Sequence, residues 1–157
     1  MIVEHSPITG FEDKDNLAAP VRALSEFYKA LNNRDLDGIE RNWLESEQSV
    51  MDNPLGGIRR GWEEIRSAYK QLVNGPAKVR VEFYDYSLHQ ADDVFFAVGR
   101  ERGEFRIGDR AIGLAIRTTR IYRLIDGRWL QVHHHGSIED PDLLERYQSA
   151  VRKGRIS

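Results

Sequence analysis

Thr119-Arg120-Ile121-Tyr122-Arg123-Leu124-Ile125-Asp126-Gly127-Arg128-Trp129-Leu130-Gln131-Val132-His133-His134-His135-Gly136-Ser137 is the stretch that decides the fold. Asp126-Gly127 is a two-residue turn signal that joins antiparallel strands. A two-residue loop fixes the register. Leu124 then faces Trp129, Tyr122 faces Gln131, Arg120 faces His133, and Thr118 faces His135. Side chains alternate along a strand, so Thr118, Arg120, Tyr122, Trp129, Gln131, His133 and His135 are expected on one face. Thr119, Ile121, Leu130, Val132 and His134 fall on the other. The first face mixes aromatics with imidazoles and a guanidinium, which suits a concave ligand surface better than a dry core.

Upstream, the same period of two runs through Val79–Leu88, Val94–Phe105 and Gly113–Ile125, with Ala91-Asp92-Asp93 as one turn. Before residue 77 the period is helical. Leu17, Val21, Leu24, Tyr28 and Leu31 make one apolar stripe, Leu36, Ile39, Trp43 and Leu44 a short second, and Trp62, Ile65, Tyr69 and Leu72 a third. Ser49–Asp52 reads as a brief strand. Asp140-Pro141 starts a final amphipathic helix. Helices first and antiparallel strands afterwards define an α+β domain, a curved sheet with helices against one face. Residues 1–16 read as a polar, fraying arm, 17–138 as the domain, and 139–157 as a C-terminal helix and tail.

The chain has 157 residues, 23 Lys plus Arg and 25 Asp plus Glu, for a net charge of −2. That balance argues against nucleic-acid binding or a polybasic membrane contact. Without cysteine there is no disulfide, thiolate nucleophile or Cys-ligated zinc. No apolar run approaches the ~20 residues of a membrane span, and Met1–Pro7 lacks a signal-peptide pattern. A cytoplasmic domain is expected.

Phe27–Ile39, and Met51-Asp52-Asn53-Pro54-Leu55-Gly56-Gly57 leading into Gly61–Arg66, resemble ketosteroid isomerase and its SnoaL-like relatives. The C-terminal strands, with their Trp-x-x-Val-His-x-His-x-Ser ending, look more like the association domain of calcium/calmodulin-dependent protein kinase II. Both belong to the nuclear transport factor 2-like (cystatin-like) superfamily. The resemblance implies a cone-shaped, strongly bent antiparallel sheet with three N-terminal helices on its concave face, an enclosed pocket, and a homodimer through the outer sheet face. It also implies where isomerase groups would lie. The oxyanion-hole Tyr position holds Phe27, the base position Asn53, and the second oxyanion position Arg120, so isomerase chemistry of that kind is not expected.

By the association-domain resemblance, Arg66, Arg100 and Arg120 line the pocket, where three guanidiniums would call for an anionic organic ligand. Tyr28, Trp62, Tyr69, Tyr122 and Trp129 are the expected walls. His133 and His135, with Asp52, are the candidate proton-transfer groups for a lyase, isomerase or cyclase. The His-x-His spacing can also ligate a metal. Arg120 on the same face opposes a divalent ion, so neither a metal nor a cofactor is expected. The working expectation is a small-molecule-binding protein, with an enzyme and an oligomeric association module as alternatives.

Overall fold

Strand β1 (Ile2–Glu4) and a single 3-10 turn (Lys14–Asn16) precede helices α1 (Ala19–Asn32) and α2 (Leu36–Asn42). Strands β2 (Val50–Asp52) and β3 (Arg59–Arg60) lead into α3 (Trp62–Asn74). Four long strands follow: β4 (Lys78–Ala91), β5 (Val94–Ile107), β6 (Arg110–Ile125) and β7 (Arg128–Ser137), and α4 (Pro141–Lys153) closes the chain. The computed structural model describes residues 2–4 and 6–157. One sheet is built in the order β1-β4-β5-β6-β7-β2-β3. Its pairings are antiparallel except β2 against β7. None of the described helices is long and apolar enough to cross a membrane.

The expected α+β architecture is present: a bent, open sheet with α1, α2 and α3 on its concave side. Val81, Phe83, Tyr86 and Leu88 of β4, Phe95, Ala97 and Phe105 of β5, and Ile112, Leu114 and Tyr122 of β6 are buried against Leu24, Phe27, Tyr28, Ile39, Ile65 and Tyr69 of the helices. The Asp126-Gly127 hairpin turn takes positive φ at both positions (51° and 80°), as its sequence requires.

Two bulges curve the sheet. In β4 the register shifts between Tyr84 and Ser87, with Asp85 at φ 49°, so that Phe83 and Tyr86 both point inward and stack at 5.0 Å. In β7 the shift falls between the pairs Tyr122–Gln131 and Ile121–His133, which leaves Val132 as the extra residue. Beyond that point Arg120 pairs with His134 and Thr119 with His135. The register expected from the hairpin therefore holds as far as Tyr122–Gln131 and slips by one afterwards. Such a slip exchanges the two faces of the strand.

Residues 8–12 of the N-terminal segment dock onto β4 and α1. The Ile8 side chain is 2% exposed, and its backbone exchanges hydrogen bonds of 2.8 and 2.9 Å with Phe83. The Glu12 carboxylate accepts from the Thr9 and Gly10 backbone N–H groups, both at 2.9 Å, and from Ser25 Oγ at 2.8 Å. Partial burial opposes its charge, but these donors outweigh that effect and hold the carboxyl below its ordinary range.

Candidate functional site

The inside of the cone ends in a chamber of about 90 Å³ walled by Phe27 of α1, Tyr69 of α3, Asn53, Glu101, Arg120 and His134, with aliphatic residues completing the lining. A larger cavity of about 330 Å³ lies between α3, α4 and the ends of β5, with Leu55, Ala68, Phe105, Ile107 and Val151 in its walls. The two share Met51, Asn53, Tyr69, Leu72 and Tyr147. Tyr147 meets Phe105 edge-on at 5.2 Å, and Gln148 Nε2 donates to the Pro54 carbonyl at 3.1 Å. The C-terminal helix thus forms part of the cavity wall.

Arg120 is the polar centre of the chamber, 2% exposed. Its Nη1 donates to Gln131 Oε1 at 2.7 Å, its Nε to the Tyr28 hydroxyl at 3.1 Å, and its Nη2 to Glu101 Oε2 at 3.4 Å. The guanidinium carbon sits 3.9 Å from the centre of the Phe27 ring, a cation–π contact. Burial works against the charge, but the Tyr28 oxygen and the Glu101 carboxylate outweigh it and hold Arg120 as a cation. Thr118 Oγ1 donates to the other Glu101 oxygen. Beneath this layer Asn42 Oδ1 accepts from the Tyr122 hydroxyl at 2.8 Å and from Gln131 Nε2 at 3.2 Å. Burial pushes the Tyr28 and Tyr122 hydroxyls well above the usual tyrosine range, and that of Tyr147 up to about 12.

His134 lines the chamber as a consequence of the β7 bulge. Its Nδ1 lies 3.3 Å from the Thr119 carbonyl, which can only accept, so Nδ1 carries the proton and Nε2 keeps its lone pair. Burial, and then the Arg120 cation, drive its pKa well below the ordinary histidine value, leaving the ring neutral.

The three expected pocket arginines are separated. Only Arg120 reaches the chamber. Arg66 pairs with Glu40 across α3 and α2, and half-exposed Arg100 pairs on the outer face with Glu139 at 3.1 Å and Asp85 at 3.4 Å. Each finds a local carboxylate, which removes the need for a shared anion. Among the expected walls, Tyr69 lines the cavity and Tyr28 anchors Arg120 from the core. Trp62 packs near Trp43, while Tyr122 and Trp129 pack on Phe95, all apart from the lining.

Asp52, His133 and His135 do come together, but on the opposite face of the sheet. Parallel pairing of β2 and β7 sets Val50 beside His133 and Asp52 beside His135, and sends Met51 and His134 inward. The histidine that sequence alternation assigned to the outside is the one inside.

The positions that the ketosteroid isomerase resemblance singled out lie together. Phe27, Asn53 and Arg120 line the same chamber. Glu101, Met51, Leu72 and Tyr147 were not expected there. Glu101 had a signal, since it shares the strand face of Phe95 and Ala97.

A bent sheet with three helices on its concave side, a mainly apolar cavity and an adjoining polar chamber define a small cone-shaped α+β domain. The chain belongs to the SnoaL-like domain family, whose model matches residues 21–141. Solved structures share the fold. A candidate calcium/calmodulin-dependent protein kinase type II association domain from Thiobacillus denitrificans ATCC 25259 is 23% identical with a TM-score of 0.65, over 79% of this chain and 98% of that one. A nuclear transport factor 2-like protein of unknown function from Pseudomonas putida KT2440 is 21% identical with a TM-score of 0.61, over 74% and 81%. An uncharacterized cystatin-like-fold protein from Caulobacter vibrioides is 19% identical with a TM-score of 0.64, over 86% and 96%. No curated protein matches the chain.

Proposed function

We propose that this protein binds a small, mainly apolar organic molecule in the cone, with a carbonyl or carboxylate head turned toward Arg120. The observation that carries this reading is the shared wall of the two cavities. An apolar mouth of about 330 Å³ adjoins a chamber where a buried guanidinium, a neutral imidazole and the Asn53 side chain converge. Ligand sites characteristically combine such an apolar lining with few placed polar groups. Glu101 already neutralises Arg120, so one acceptor head fits this site better than a multiply charged anion. Self-association through the outer sheet face is part of the same proposal.

The test is a thermal-shift screen of carboxylic acids, matched ketones and matched hydrocarbons against wild type and Ala68→Phe, which fills the mouth. Stabilisation by oxygen-bearing ligands, absent in the variant, is the expected result. No shift with any class, or equal shifts in the variant, would refute the cavity reading.

A second reading, a cofactor-free lyase or isomerase, is favoured by one feature. His134 Nε2 is an unprotonated nitrogen at the chamber wall, a weak base that a substrate shielding it from Arg120 would strengthen for proton transfer. His134→Gln would then abolish turnover while leaving ligand stabilisation in place.

A further inference from the structure

We infer that Asp52, His133 and His135 form a binding site for a divalent transition-metal ion of the zinc class on the outer face of the sheet. One donor atom from each of the three lies within 4.8 Å of the others. Their geometry leaves a gap that a cation would fill. His133 Nδ1 is 2.8 Å from the Val50 carbonyl, an acceptor, so Nδ1 carries the proton and donates it. Nε2 of the same ring lies 3.6 Å from Asp52 Oδ1. That is too long for a hydrogen bond.

Oδ1 of Asp52 is buried and has no hydrogen-bond partner. A buried carboxylate oxygen without a donor is costly, and an ion would satisfy it. Zinc–ligand bonds of about 2.0–2.2 Å in a tetrahedron place neighbouring donors roughly 3.3 Å apart, close to the gap seen here. The Val50 carbonyl is the kind of outer partner that fixes the tautomer of a metal-ligating histidine.

The remaining surroundings permit it. His135 Nδ1 lies 2.8 Å from Asp52 Oδ2 and its ring is half exposed, so uptake of an ion exchanges this contact for a metal bond. Across β6 the neighbours of His133 and His135 are Ile121 and Thr119, both uncharged, and the cation on this face, Arg60 opposite Val50 on β3, is exposed to water that screens it. Arg120, which would repel an ion, is behind the sheet. Two imidazoles and one carboxylate as ligands suit zinc, cobalt or nickel better than calcium or magnesium. Three protein ligands leave a coordination position for water or an exogenous group.

The experiment is calorimetric titration of the untagged, chelator-treated protein with Zn²⁺, and visible spectroscopy with Co²⁺. Wild type is expected to take up one ion, and a ligand-field spectrum should report nitrogen and oxygen donors. His133→Gln, His135→Gln and Asp52→Asn should each weaken binding by about 100-fold or more. His89→Gln, on the same face but outside the cluster, should bind as wild type. Circular dichroism and melting of the metal-free variants control for folding. The proposal fails if wild type binds no ion at millimolar metal, or if the three variants bind like wild type. Nitrogen-15 NMR showing His133 doubly protonated in a metal-refractory protein would identify a proton as the missing cation and overturn it.

Discussion

Arg120 and Glu101 form an ion pair whose side chains are 2% and 5% exposed, with Nη2 and Oε2 3.4 Å apart. Neither charge has water to fall back on. Arg120→Met leaves Glu101 buried with only Thr118 as a donor, and the expected cost is about 3–5 kcal/mol. In a domain of this size that lowers Tm by about 10 °C. Replacing both, Arg120→Met with Glu101→Leu, removes the stranded charge and should be more stable than either single variant. Denaturant unfolding of the four proteins measures the coupling. Purely additive losses would mean that the pair does not act as a unit.

His134 makes stability pH-dependent in a definite direction. Its folded pKa lies well below the ordinary value of 6.5, chiefly through burial and then through Arg120. Below about pH 6.5 the unfolded chain binds a proton there that the folded protein does not. Stability is therefore fully present above about 6.5 and is lost as pH falls toward the folded pKa, by about 1.4 kcal/mol per unit for this group. His134→Gln should flatten the slope between pH 6.5 and 5. Glu12, lowered from 4.5, adds its own loss only at more acid pH. An unchanged slope in the variant would contradict the buried, neutral imidazole.

The backbone at Gly103 leaves no room for a side chain. A Cβ there would sit 1.9 Å from the Arg80 carbonyl oxygen of the neighbouring strand. Gly103→Ala must push β4 and β5 apart and is expected to cost more than about 2 kcal/mol. Gly113, in β6, has open space where its Cβ would lie. Gly113→Ala should change stability by no more than about 0.5 kcal/mol. Equilibrium unfolding of the two variants provides the comparison.

These positions also explain what sequence could and could not reveal. Periodicity located all four long strands and the helices, because a change from period 3.6 to period 2 is visible without tertiary information. The hairpin turn fixed the first pairs of β6 and β7. What sequence could not give was the Val132 bulge, since an unpaired residue in a strand looks like a paired one. That single residue exchanged His134 for His133 and His135 in the cavity. The arginines illustrate a second limit. Glu40 and Glu139, which hold Arg66 and Arg100, are distant in sequence and become partners only once the helices and β5 are placed. The aligned positions Phe27, Asn53 and Arg120 line one chamber because a resemblance carries places in the fold, whatever chemistry occupies them.

The outer sheet face yields the last prediction. Phe96 and Val98 on β5 are 40% and 43% exposed, unusual for large apolar residues on a central strand. Ile121 and Thr119 of β6 pair with them, and His89 stacks on Phe96 at 4.7 Å. Ion pairs border this patch: Arg102 with Glu82, Arg100 with Glu139 and Asp85, and Arg117 with Glu139. An apolar centre with a charged rim is the usual anatomy of a protein interface. If this face joins two copies, as proposed, sedimentation equilibrium should find a dimer at micromolar concentration. Val98→Glu, whose side chain points away from the cavity, should yield a folded monomer with unchanged ligand stabilisation. A wild-type monomer, or a Val98→Glu dimer, would exclude this face as the interface.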